Sequence, residues 1–170
     1  MTEWKQDKKW SDRFLSEIKR ILGENLISEP PIEEDVERNT DLITLRLDVV
    51  RIGCRVRKHA YLDKYGDEFT IRGKRLSNAT TELAKIMEGW GDYFLYGFSD
   101  AHETRLEKWI LGDLNAFRQY FAQHFMGNKG EMLGNEERNK DSSSSFYAFR
   151  YDDIPGFVVA KHPSWKAGRF

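Results

Sequence analysis

Cysteine is nearly absent: Cys54 stands alone in 170 residues. No disulfide can form within the chain, and a reducing compartment is the expected setting. An excess of one charge is missing too, since 27 Lys and Arg face 28 Asp and Glu for a net charge of -1. Bulk charge therefore argues neither for nor against a polyanionic partner, and only the placement of charge can. No apolar run approaches the ~20 residues that a bilayer-spanning helix requires. The opening MTEWKQDKKW is too charged for a signal peptide. A cytoplasmic protein without a membrane partner is expected. The four histidines, His59, His102, His124 and His162, are scattered, with none of the paired spacing that holds zinc. No glycine-rich phosphate loop opens a helix, because GWGDYF leads into a strand-like run.

What the chain does have is core-forming material: 39% hydrophobic and 14% aromatic residues, enough for one ordinary domain. From Asp7 to Asn25, Trp10, Phe14, Ile18 and Ile21 recur at helical spacing, with Gly23 near the end. SEPPIEEDVERN is a connection, stopped by paired prolines and followed by an acidic cluster. Three alternating runs follow at Leu42–Leu47, Ile52–Lys58 and Glu68–Arg72. Short links make a meander of three antiparallel strands the economical reading. TTELAKIMEGW places Leu83, Ile86, Met87 and Trp90 at helical spacing, with Asn78 or Thr80 as a cap and Gly89 as the stop. DYFLYGF is apolar on both faces and reads as a central strand covered by helices. Exposed at an edge, it would invite a homodimer.

KWIL suggests another short strand. Gly112-Asp113 then looks like the start of a helix whose buried stripe is Leu114, Phe117, Phe121 and Phe125. These elements make an α/β or α+β fold, with an αβββαβ core and a mixed sheet flanked by helices, plus a C-terminal helix and hairpin. The expected organisation is a core domain over 1–126 and a flexible, serine-rich loop over 127–145. A C-terminal extension over 146–170 follows, forming a hairpin around Asp153 and Pro155-Gly156 and packing on the core.

The polar positions of the strand runs are crowded with arginine. If the three strands pair in register, Arg46, Arg55, Arg57 and Arg72 share one face with Thr70. Ile43, Leu45, Ile52, Cys54, Val56, Phe69 and Ile71 take the other, and Cys54 reads as a buried structural thiol. Guanidinium groups gathered on one face repel unless an anion lies among them, and arginine grips phosphate or carboxylate through paired hydrogen bonds. A nucleic-acid backbone would satisfy them. So would Glu17, Glu82 and Asp35 folded over the sheet as internal ion pairs.

The αβββαβ order over roughly Asp7–Phe98 resembles the core of the PD-(D/E)XK nuclease superfamily, which includes restriction enzymes and Holliday-junction resolvases. The resemblance implies that Asp41, at the place of the strand aspartate, and Glu17, at the place of the helix carboxylate, hold a divalent metal. Where that family carries (D/E)xK, this chain reads Arg55-Val56-Arg57. Arg57 can replace the lysine, whereas Arg55 cannot replace a metal-binding carboxylate. Glu82 or Asp35 must supply that group, or the site is dead. The stretch TDL…RVR…FTIR…TELAKI…GWGDYFLYGF also looks like a group of phage and prophage proteins of unassigned function, which implies a mobile-element origin.

Metal-dependent cleavage of a phosphodiester needs hard oxygen ligands around Mg²⁺ or Mn²⁺, an activated water and a cation near the leaving group. Asp41, Glu17 and Asp35 could be the ligands, Glu82 a further catalytic carboxylate, and Arg57 or Lys85 the cation. Each residue has a plainer reading beside this one. TD before a strand is a common turn pair, EED a solvated acidic loop, and Glu82 with Lys85 a surface ion pair on a helix. Tyr61 and Tyr65 could stack on bases or pack the core edge. Two functions are therefore expected. One is a DNA-binding protein, with Arg46, Arg55, Arg57, Arg72 and Lys85 on the nucleic acid, cleaving with Mg²⁺ if active. The other is a non-enzymatic protein that uses the Arg face or the terminal KHPSWKAGRF to bind a host protein or a small phosphorylated ligand.

Overall fold

The amphipathic N-terminal stripe folds as its spacing requires. In a computed structural model, which describes residues 3–28, 43–44, 50–75, 80–138 and 144–162, helix α1 (Glu3–Ser11) runs through a 3-10 turn into α2 (Leu15–Leu26). Phe14, Ile18 and Ile21 are buried along one side, with Trp10 packed at the edge of the same cluster. Two two-residue strands follow, β1 (Ile27–Ser28) and β2 (Ile43–Thr44), paired antiparallel.

The remaining strands form two sheets. The first contains β3 (Ile52–Arg57), β5 (Tyr93–Ser99), β6 (Leu106–Asp113) and β9 (Val158–Lys161), in that spatial order. β3 runs parallel to β5, and the other pairs are antiparallel. The second sheet is antiparallel, with β4 (Glu68–Arg75) beside β8 (Ser144–Arg150) and then β7 (Asn135–Arg138). Three helices complete the described residues: α3 (Leu62–Tyr65), α4 (Glu82–Met87) and α5 (Leu114–Gly127). The fold is mixed α/β, as expected, and no helix among the described residues is long and apolar enough to cross a membrane.

β5 sits between β3 and β6, and its two faces pack against different layers, which explains its unbroken apolar run. Phe94, Tyr96 and Phe98 point into a core shared with the second sheet, α4 and α5. Leu95 points the other way, beneath Phe14, Ile18 and Ile21. The molecule is therefore layered as helix pair, four-stranded sheet, then second sheet with α4 and α5. Phe69 lies at the centre of the larger core, fully buried and stacked on Phe157 and Phe149 at 4.6 and 5.3 Å. Gly112 leaves room for the Phe157 ring, since a Cβ there would lie 2.2 Å from it.

Several expectations change. The three-strand meander does not form: β3 and β4 belong to different sheets, because β3 is satisfied by β5 and β4 by β8. The C-terminal hairpin is absent for the same reason, as β8 joins β4 while β9 joins β6. Within the expected loop over 127–145, residues 135–138 form β7. Trp90 leaves the helical stripe and is 59% exposed, because α4 stops at Met87 and Gly89 turns the chain at φ 94°. Phe125, near the end of α5, is exposed as well. Thr81 caps α4 by accepting from Ala84 N–H, whereas Asn78 lies outside the described residues and Thr80 is not the cap. The start of α5 is as expected, with Asp113 accepting from Asn115 and Ala116 N–H.

Candidate functional site

The nominated carboxylates have structural employment. Glu17 Oε2 accepts the N–H of Leu106 at 2.7 Å, tying α2 to the first residue of β6. Glu82 Oε2 accepts from Arg55 at 2.6 Å and from the backbone N–H of Arg72 at 2.9 Å. It therefore clips the edge of β4 to the side chain of β3, and the expected surface pair with Lys85 does not form. Lys85 is exposed on α4. Glu17 belongs to the helix layer on one face of the four-stranded sheet, and Glu82 to the layer across the other face. The two cannot share one ion. Among the described residues no three His, Cys, Asp or Glu side chains gather to hold a metal. Asp41, Asp35 and Arg46 lie outside the described residues.

The arginines do converge, although by a different route from strand pairing. Arg55, Arg57 and Arg72 all line one open cleft of about 890 Å³ between α1 and β3, together with Lys8, Lys58, Trp10 and Tyr61. Among the described residues, five cationic side chains and a single carboxylate, Asp12, line it. Asp12 is held by Lys8 at 3.2 Å. Arg55 is held by Glu82, by Thr70 O at 2.6 Å and by Thr70 Oγ1 at 3.4 Å, so its charge is answered within the chain. Thr70 Oγ1 in turn meets Tyr96 Oη at 3.2 Å. This is the internal pairing foreseen as the alternative to phosphate, and it applies to Arg55.

Arg57 and Lys58 differ. The Arg57 guanidinium lies over the Tyr61 ring, 4.6 Å from its centroid, and Lys58 Nζ is 5.9 Å from the Trp10 ring. Neither meets a carboxylate among the described residues. A ring face attracts a cation by about 0.5–1 kcal/mol at an exposed site but leaves its charge in place. Tyr61 is 42% exposed, not packed at a core edge, while Tyr65 beside it is half-buried. Trp10 is fixed by its indole N–H, which donates to Glu103 at 2.7 Å.

Cys54 is also on this wall. Expected in the core, it is exposed instead, because the helix stripe covers Val56 and Leu95 and does not reach it. Atoms packed around its sulphur nevertheless desolvate the thiol and push its pKa up, which makes it a poor nucleophile at neutral pH. Asp92 accepts the N–H of Arg51 at 2.7 Å and locks the start of β3 beside β5.

Lys58, Lys8 and Trp10 were not among the nominated site residues. The signal for Lys58 was its place at the end of an Arg-Val-Arg run. Lys8 and Trp10 join the cleft only through the packing of α1, which periodicity alone does not position. Comparison with family models, with curated proteins and with solved structures gives no match to this chain.

Proposed function

We propose that the chain binds nucleic acid through the cleft between α1 and β3. One observation carries the reading: in this open cleft Arg57 and Lys58 meet no acid partner among the described residues, and Arg57 lies against an exposed tyrosine. Two neighbouring cations without an acid favour an anion beside them, and guanidinium groups bind phosphate well. An aromatic ring beside each unpaired cation adds a surface on which a base can stack.

Binding does not require cleavage. Glu17 and Glu82 are hydrogen-bonded on opposite faces of a sheet and do not form one Mg²⁺ site. A host protein as the partner gains no comparable support, since the cleft is more cationic than an ordinary protein-binding core.

The test is a fluorescence-anisotropy titration of labelled oligonucleotides at several salt concentrations. Affinity is expected to fall with rising salt, at a log–log slope of about -1.4 to -1.8 for two phosphate contacts, at Arg57 and Lys58. Arg57→Gln should weaken binding to every sequence alike and reduce the slope by about 0.7–0.9. No binding at low salt to single strands, duplexes or forks would end the proposal.

A further inference from the structure

Another cation–aromatic pair lies at the far end of the same strand. Arg51 sits over the ring of Trp90 at 5.9 Å, and Trp90 is the most exposed of the large aromatic side chains described. The Arg51 backbone is held in line with β3 by Asp92, whose carboxylate accepts its N–H while Asp92 and Tyr93 N–H groups donate to its carbonyl. Arg51 and Arg57 are six residues apart, so strand alternation sends both side chains to the same face. At about 3.4 Å per residue they stand roughly 20 Å apart. Between them Arg55 turns inward to Glu82 and Thr70. Two exposed rings, Trp90 and Tyr61, thus mark the two ends of β3, each beside a guanidinium.

Resting on the nucleic-acid reading above, we propose that the ligand is single-stranded and lies along β3, with one base stacked on Trp90 and another on Tyr61. The bases of a duplex are already stacked on one another and offer no faces to side chains, whereas an unpaired strand does. The guanidinium beside each ring is placed for the phosphate flanking the stacked base. A stacked strand advances about 3.4 Å per nucleotide, so the two platforms are separated by about six nucleotides, or fewer if the strand is stretched.

The experiment titrates the full chain with fluorescein-labelled oligo-dT from 3 to about 12 nucleotides and with a blunt duplex of the longest length, at low salt. Affinity should climb until about seven nucleotides, the length that reaches both rings, and then level off, and the single strand should bind more tightly than the duplex. Trp90→Ala and Tyr61→Ala should each weaken single-strand binding by about 5- to 150-fold, the range for loss of one stacked base. Trp90→Phe should recover most of that loss. Both rings are exposed, so thermal melts should show unaltered folding. Equal or tighter binding of the duplex, or single-strand affinity unchanged in Trp90→Ala, would overturn this inference. The cleft reading would then stand alone if Arg57→Gln still weakens binding. No binding of any oligonucleotide would overturn both.

Discussion

Replacing Glu82 by alanine separates a structural carboxylate from a catalytic one. The substitution removes a charge-assisted hydrogen bond of 2.6 Å from Arg55 and one of 2.9 Å from Arg72 N–H. Removing one partner of a fully buried ion pair costs about 3–5 kcal/mol. Here the two side chains keep 27% and 30% of their surface, so water recovers part of that, and Arg55 retains the Thr70 carbonyl. A loss of about 2–3 kcal/mol follows, since a hydrogen bond to a charged group contributes about 1.5–3 kcal/mol. For a chain of this size that corresponds to a fall in Tm of roughly 5–10 °C. Glu82→Gln, which keeps one acceptor oxygen, should lose less. Circular-dichroism melts of the three proteins measure this. Wild-type melting by Glu82→Ala, with loss of a Mg²⁺-dependent cleavage, would show that the carboxylate serves a metal and that its role as a clip is misjudged.

Gly112→Ala should destabilise the fold by about 1–3 kcal/mol through overpacking, because its Cβ would lie 2.2 Å from the Phe157 ring. Adding Phe157→Leu should return part of the loss in a double-mutant cycle, and strict additivity would contradict the clash. Asp67 gives a pH-dependent prediction. Burial raises its carboxyl pKa, but Lys108 and the Tyr151 hydroxyl, both at 3.1 Å, outweigh burial and hold it below the ordinary value. A depressed folded pKa contributes stability above the unfolded value of about 3.9, and this is lost as pH falls through the folded one. Asp67→Asn should therefore melt slightly below wild type at pH 7, by less than about 1 kcal/mol given its exposure. The difference should close below roughly pH 4. A gap that widens in acid would refute the assignment.

The parts of the fold legible in the sequence were those with local causes. The Phe14, Ile18 and Ile21 stripe, the two-faced DYFLYGF strand and the Asp113 cap each depend on neighbours within a few residues. Strand partners were not legible. Alternation tells which residues share a face and says nothing of which strand lies alongside, so β3 could not be assigned to β5 across the intervening β4 and α4. The misplacement of Cys54 has the same origin, since parity gave it the inward face but not the extent of the helices covering that face. At the site, the crowding of Arg55, Arg57 and Arg72 was legible and they do line one cleft. Which of them is neutralised was not, because the Arg55–Glu82 contact spans 27 residues and depends on where β4 lies. Arg51 and Trp90 were missed as a pair because only the β3–β5 register brings them together.

The cleft contains its own reporter, since Cys54 is the chain's single cysteine and lies on the cleft wall. The most direct measurement is the rate of Cys54 alkylation by a maleimide, with and without a saturating oligonucleotide, at low and high salt. Its raised pKa makes the reaction slow at neutral pH, so the assay is best run near pH 8.5, about the ordinary thiol pKa. A strand seated against Arg57 and Lys58 should slow alkylation several-fold at low salt, with the protection gone at high salt and requiring more oligonucleotide in Arg57→Gln. An unchanged rate while anisotropy reports the oligonucleotide fully bound would place the nucleic acid elsewhere and contradict the account.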